Sequence, residues 1–282
     1  MSLSAKSTKD SLKHLCTLLD NNKKVYFSRF GDGEILYMTG ADNREHKAND
    51  QLRSELINSF TIEHLLFLKA LSVNLPVEKG MIYGLFAPYP NNQQLNDVLI
   101  KTFEIKTPQV YESQVLFHYI TVFQPKQMVD FLNKYIRPKR KMFIGSTPKH
   151  IAEKLFGTIE VYISTPPKNA YSLIETWFPE VLKHAGDVDV IIPSVGITSN
   201  IINFRLWQSG VEAHCLDIGS IVDATEGLGT RKWIRLMGHR VNNVLLPEFQ
   251  KKSIGFLIGY YAKEIRFYLR LLYKGKKYKM PY

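Results

Sequence analysis

The sequence predicts an α/β protein built on a parallel sheet covered by helices on both faces, with added N-terminal and C-terminal helices. Three observations carry this. From Lys141 to Ile218, short apolar runs alternate with segments of helical period. Strands joined through helices run parallel, and a parallel sheet must be covered on both faces. A chain of 282 residues with 45% hydrophobic content is large enough to bury such a core.

The elements follow in order. Residues 4–22 read as an amphipathic helix, with Leu12, Leu15, Leu18 and Leu19 on one face. Val25-Tyr-Phe27 is a short β-rich run. Residues 49–75 continue a helical period through Leu52, Leu56, Ile57, Phe60, Leu65, Leu66 and Leu68, to an end near Pro76. Met81–Phe86 reads as a strand, followed by the loop Ala87-Pro-Tyr-Pro-Asn-Asn92. Helical periodicity returns over 93–103 and 125–135. The regular part then supplies strands Lys141–Gly145, Ile159–Ser164, Val188–Pro193 and Val211–Ile218. Between them lie helices Pro148–Phe156, Ala170–His184 and Ser199–Gln208.

Composition narrows the class. The N-terminal segment lacks the apolar core of a secretory signal, and no 18-residue apolar run free of charge is present. Cys16 and Cys215 lie far apart in apolar-periodic segments, which reads as buried thiols in a reducing, cytoplasmic compartment. The net charge of +11 is concentrated: residues 251–282 hold nine Lys/Arg against one acid, Glu264, leaving about +3 for the first 250. The chain thus divides into an α/β domain, 1–250, and a basic tail, 251–282. A nearly neutral body argues against nucleic acid as a partner. In the tail, Ile254, Leu257, Ile258, Tyr261, Ile265, Tyr268 and Leu272 fall at helical spacing beside Lys263, Arg266 and Arg270. That pattern suits either an interfacial helix on an anionic membrane surface or a helix packed on the body.

Chemistry concentrates in Arg29-Phe-Gly-Asp-Gly-Glu34, directly after the first strand. Asp32 and Glu34 offer hard oxygen ligands suited to Mg²⁺ or Mn²⁺, and Arg29 a fixed charge for a phosphate. A glycine-built turn at Gly31 and Gly33 can aim both carboxylates at one point. Asp-Gly is equally a common solvated turn, so the pattern alone leaves both readings open. Four later loops fall at the carboxyl ends of predicted strands, where such sheets bind ligands. They are Gly145-Ser-Thr-Pro148, Ser164-Thr-Pro-Pro-Lys-Asn169, Ser194-Val-Gly-Ile-Thr-Ser199 and Asp217-Ile-Gly-Ser220. Gly145 with Ser146, and Gly196 with Thr198 and Ser199, place glycine and hydroxyls just before a helix, which suits contact with an anion or simple helix capping. None matches a dinucleotide fingerprint or a P-loop, and neither a serine elbow nor paired histidines occur. His46 lies nearest the acidic run, and His214 falls in a buried strand.

Arg29-Phe-Gly-Asp-Gly-Glu34, Lys168-Asn169-Ala170-Tyr171, Asp189–Arg205 and Asp217-Ile-Gly219 together resemble the GT-D-type glycosyltransferase family of bacteria over residues 24–235. The resemblance implies a Rossmann-like sheet, an Asp-x-Glu element with a divalent metal (Mn²⁺ or Mg²⁺), and a nucleotide-sugar donor, UDP-sugar being the family expectation. It assigns Asp32 and Glu34 to the metal and Arg29 to the donor diphosphate. Asn169, Thr198 and Ser199 would line the nucleotide pocket, with Asp217 near the sugar. The acceptor would be a growing glycan of a surface polysaccharide or glycoprotein, a lipid-linked one if the tail binds the inner face of the cell membrane. Two departures stand out: Ser220 replaces a histidine after Asp-Ile-Gly, and Asp223-Ala-Thr-Glu-Gly-Leu-Gly229 replaces an acidic-aromatic segment. For the proton acceptor, Asp217 comes first, then Glu226 or Asp223. Two rival readings use the same residues: a metal-dependent nucleotide phosphohydrolase or phosphotransferase, and a non-catalytic nucleotide- or glycan-binding protein.

Overall fold

Strands β1 (Leu3–Ala5), β2 (Tyr26–Phe30), β3 (Phe67–Leu71), β4 (Gln109–Ser113), β5 (Lys141–Gly145), β6 (Val161–Ser164), β7 (Val190–Ser194) and β8 (His214–Leu216) form one sheet, all pairs parallel. The computed structural model describes residues 3–40, 49–76, 93–226 and 245–246, together with 254, 255, 258, 262 and 266. Strand order is β1-β4-β3-β2-β8-β7-β5-β6.

Alternation explains the layers. Along β2, Tyr26 and Phe30 enter one core and Phe27 the other; along β5, Met142 and Ile144 oppose Phe143 in the same way. Helices α1 (Thr8–Asp20), α5 (Leu116–Phe123), α6 (Pro125–Phe131), α7 (Lys149–Phe156) and α10 (Ile221–Glu226) pack on the Phe27 side. Helices α2 (Asp32–Met38), α3 (Asp50–Thr61), α4 (Gln93–Thr102), α8 (Ile174–His184) and α9 (Thr198–Gln208) cover the Tyr26 side. The expected parallel sheet with helices on both faces is what the chain forms.

The C-terminal half follows the expected elements closely, and the N-terminal half departs from them. Residues 3–5 form β1 against β4, and α1 begins only at Thr8, where Ser7 caps it by accepting from the Asp10 N–H at 3.0 Å. The helix expected over 49–75 stops at Thr61; Phe67–Leu71 is instead a strand beside β2. A buried apolar strand and a buried helix look alike in periodicity, which is why Leu65, Leu66 and Leu68 misled. β4 and α5 were not expected at all. The helix expected over 125–135 ends in a π-helical turn, Leu132–Ile136, that continues α6. Met81–Phe86, the loop after it, and His46 lie outside the described residues, as does most of the tail.

The chain's progress across the sheet reverses between β2 and β8. From β2 it steps outward to β3 and β4; β8 is reached from the other side, through β7. β8 pairs with β2 only at Tyr26↔Cys215 and Phe27↔Leu216, while β2 runs on to Phe30. Beyond Leu216 the two strands part, leaving a notch at their carboxyl ends. His214 caps the start of this pairing, its Nδ1 accepting from the Val25 N–H at 3.3 Å. Burial, with Lys24 and Lys139 nearby, pushes the His214 imidazole down to about 4. It is the satisfied core histidine the sequence suggested. Cys215 is buried, Cys16 is partly exposed, and both are free thiols.

Candidate functional site

The notch opens into a polar cleft of about 720 Å³, within the range of small-ligand sites. Every wall comes from the carboxyl end of a strand or the segment that follows it: Arg29–Glu34 at β2, Gln114 after β4, Ser146 after β5, Pro166–Ala170 after β6, Ser194–Ser199 at β7 and Asp217–Asp223 after β8. A strand-order reversal in an open parallel sheet is where such folds take ligands.

Arg29 is held in place from two sides of the cleft. It projects from β2, its Nη2 donates to Asp217 Oδ1 at 3.1 Å, and its Nη1 lies 3.5 Å from His118 Nε2. Both members of the ion pair are largely buried, with side chains 14% and 5% exposed. Asp217 Oδ1 also accepts from the Gly219 N–H at 2.9 Å. Gly219 adopts φ +79°, and a Cβ there would lie 2.5 Å from Arg29 Nη2. Conformation favours glycine here, and its missing side chain lets the guanidinium lie close against the backbone. Where β8 has left β2, Asn200 of α9 takes over the strand's role and donates from Nδ2 to the Arg29 carbonyl at 3.0 Å.

Asp32-Gly-Glu34 is the first turn of α2, not the expected glycine turn. Glu34 folds back and its Oε2 accepts from the Gly31 N–H at 2.9 Å, the reciprocal half of a capping box. Residues two apart on a helix do not share a face. Both side chains nevertheless line the cleft, because it lies over the N-terminal end of α2. A Cβ at Gly31 would come within 2.9 Å of Glu34 Oε2 and 3.3 Å of Gln114 Nε2, so this glycine makes room for both.

Of the residues expected from sequence, the cleft brings together Arg29, Gly31, Asp32, Glu34, Ser146, Asn169, Gly196, Ser199, Asp217 and Asp223. It does not bring in Gly145 or Thr198. Gly145 ends β5, packed so that a Cβ would meet Phe143 at 2.9 Å and the Ser194 carbonyl at 3.1 Å. Thr198 is 1% exposed behind the cleft wall. Ser199 also turns inward, its Oγ accepting from the Val195 N–H at 3.1 Å. Glu226 ends α10, with its side chain outside the described residues. Gln114 was missed, since β4 itself was missed; Pro166, Pro167, Val195, Gly219 and Ser220 belong to loops the sequence had marked.

The charge balance of the cleft matters chemically. Four carboxylates (Asp32, Glu34, Asp217, Asp223) face two cations, Arg29 and Lys168, among the described residues. Such a lining repels a free diphosphate unless a cation accompanies it. The donor atoms are hard oxygens, and among the described residues no cluster of three or more His, Cys, Asp or Glu is placed to hold a metal. A carboxylate oxygen accepting one hydrogen bond keeps a lone pair for a metal. Asp32 and Glu34 are the residues that could hold a Mg²⁺ or Mn²⁺ here, and such an ion would take its remaining ligands from water or phosphate oxygen.

An open, all-parallel α/β sheet with its polar cleft at the strand-order reversal defines a ligand-binding architecture of the doubly wound type. No family model and no curated protein matches the chain. Solved structures do. A glycosyltransferase carrying domain of unknown function 1792, from Streptococcus sanguinis, is 20% identical, with a TM-score of 0.61 over 80% of this chain and 84% of that one. A structure of the highly conserved domain of unknown function 1792, described as having a distinct glycosyltransferase fold, is 18% identical, with a TM-score of 0.60 over 80% and 81%. The selenomethionine-substituted form of that domain gives 0.59 at the same identity. The chain has this glycosyltransferase fold.

Among the described residues, no helix is long and apolar enough to cross a membrane.

Proposed function

We propose that this chain is a metal-dependent glycosyltransferase moving a sugar from a nucleotide-diphosphate-sugar donor, UDP-sugar first among them, to a glycan acceptor. One observation carries the reading. In a fold shared with glycosyltransferases, a guanidinium pinned between Asp217 and Gly219 shares an otherwise acidic cleft with the Asp-x-Glu pair.

Cleaving a sugar–phosphate bond builds negative charge on the departing diphosphate, and pre-placed positive charge stabilises that growth. A divalent cation at Asp32 and Glu34 would supply the larger part of that charge. Arg29 supplies a fixed part, with no reorganisation needed because Asp217 already holds it. This changes the role expected for Asp217. With Oδ1 engaged by Arg29 and by the Gly219 N–H, it serves as a positioning residue. Asp223, half-buried on the first turn of α10 and lining the cleft, takes the part of proton acceptor for the incoming hydroxyl.

The test compares Asp32→Asn and Glu34→Gln with the wild type. The amide introduced by Glu34→Gln keeps an oxygen for the Gly31 N–H, so the cap survives and only charge is lost. The expected result is an unchanged fold by circular dichroism, loss of manganese-dependent thermal stabilisation by UDP, and loss of donor turnover. Full turnover in both variants would refute the metal role. Release of phosphate from a simple nucleotide without any sugar acceptor would replace this reading with a phosphohydrolase.

A further inference from the structure

We propose that Lys168 is a second anion-binding residue of the cleft, carried there by a strap that a Tyr171–Glu55–Arg205 network pins to α3 and α9. The inference rests on reading the cleft as a nucleotide-diphosphate site.

The strap's course is unusual for the strand it leaves. β6 is the edge of the sheet, separated from β8 by β5 and β7. Yet residues 166–170 line the same cleft as Arg29 and Asp217. The chain leaving β6 therefore folds back across the carboxyl ends of β5 and β7.

Both ends of the strap are fixed. On entry, the Thr165 N–H donates to the Gly145 carbonyl at 3.2 Å, and Pro166 and Pro167 restrict the backbone that follows. On exit, Trp177 Nε1 donates to the Ala170 carbonyl at 3.2 Å, and the Tyr171 hydroxyl donates to Glu55 Oε1 at 2.7 Å. Glu55 on α3 also receives both prongs of Arg205 on α9, at 2.7 Å each, and Arg205 reaches Glu175 on α8 at 2.8 Å. Burial works to raise the Glu55 carboxyl, but the hydrogen bonds from Arg205 and Tyr171 outweigh it and hold the group below its ordinary range.

Between these anchors stand two residues, Lys168 and Asn169, the latter held in the left-handed region at φ +52°. Asparagine tolerates that region well, so the chain can turn sharply here at little cost. Lys168 itself is exposed and lines the cleft, so its ammonium can reach a ligand there without displacing a core contact. Arg29 commits one Nη to Asp217, whereas lysine acts as a compact point charge suited to a phosphate oxygen. Pre-ordering the strap's backbone lowers the entropy cost of placing that charge when the ligand arrives.

Titration calorimetry with UDP and with uridine, each in the presence of manganese, tests this on wild type, Lys168→Met, Lys168→Arg and Tyr171→Phe. Lys168→Met should weaken UDP by about tenfold or more, the size of one charge-assisted hydrogen bond, and leave uridine unchanged. Lys168→Arg should recover most of the loss. Tyr171→Phe should weaken UDP in the same direction while leaving uridine unchanged, which a merely structural defect would not do. Wild-type UDP affinity in Lys168→Met overturns the assignment and leaves the donor reading intact. Equal loss of UDP and uridine in that variant also overturns it. Wild type binding neither UDP nor uridine overturns the donor reading, and this inference with it.

Discussion

Gly219→Ala should disable the cleft while leaving the sheet standing. A methyl group there would lie 2.5 Å from Arg29 Nη2, 2.6 Å from Cζ and 2.7 Å from Nη1, where ordinary contact begins at 3.4 Å. The guanidinium must retreat by about 1 Å, and a displacement of that size at a reacting centre costs on the order of a hundredfold in turnover. The 3.1 Å contact with Asp217 would go as well. Alanine at a positive φ adds a stability cost of about 1–2 kcal/mol, enough to lower Tm by several degrees. The assay is donor turnover and UDP affinity on the folded variant, repeated in an Arg29→Met background. There the functional loss from Gly219→Ala should vanish, because the group it displaces is gone. Wild-type turnover in Gly219→Ala would refute the claim that Arg29 must sit where it does. A full further loss in the Arg29→Met background would show that the glycine acts through something else.

Two more outcomes follow from the same geometry. His214 is held neutral in the fold, so it contributes stability that is present above pH 6.5 and lost as pH falls towards 4. His214→Asn keeps an acceptor for the Val25 N–H, so urea melts should show a flatter pH profile in that window, the two proteins diverging by about 2–3 kcal/mol at pH 4; parallel profiles would refute the assignment. Asn200→Ala strips the Arg29 carbonyl of the donor that replaces β8, and should cost about 1–3 kcal/mol in urea melts and weaken UDP; no change in either would show that β2 holds its shape unaided.

The part of this fold legible in the sequence is the part where helix and strand alternate cleanly. From Lys141 onward each strand is a short apolar run bounded by polar or glycine-rich loops, and the boundaries agree within a few residues. The first half resisted for identifiable reasons. β1 is three residues long and sits immediately before an amphipathic helix, so its Leu3 and Ala5 merged with that helix's pattern. Phe67-Leu-Lys-Ala-Leu71 has the composition of a helix and becomes a strand only because β2 and β4 flank it. The cleft was more legible than the elements that frame it. Arg29, Asp32, Glu34, Asn169 and Asp217 were readable because glycines, prolines and charged groups concentrate where a backbone turns away from a sheet. Gln114 was not, for it follows a strand that gave no signal. Nor was the ion pair between Arg29 and Asp217, which joins residues 188 positions apart and exists only through the neighbourhood of β2 and β8.

That long separation has a bearing on when the molecule becomes competent. Arg29 emerges early in synthesis, but the acid that orients it and the glycine it leans on arrive only just after β8, the last strand among the described residues. A growing polypeptide stopped short of residue 219 carries the arginine and the acidic pair but lacks one wall of the cleft. Under the proposed function, donor affinity should therefore report that the two halves of the sheet have met, because β8 is the strand that joins them.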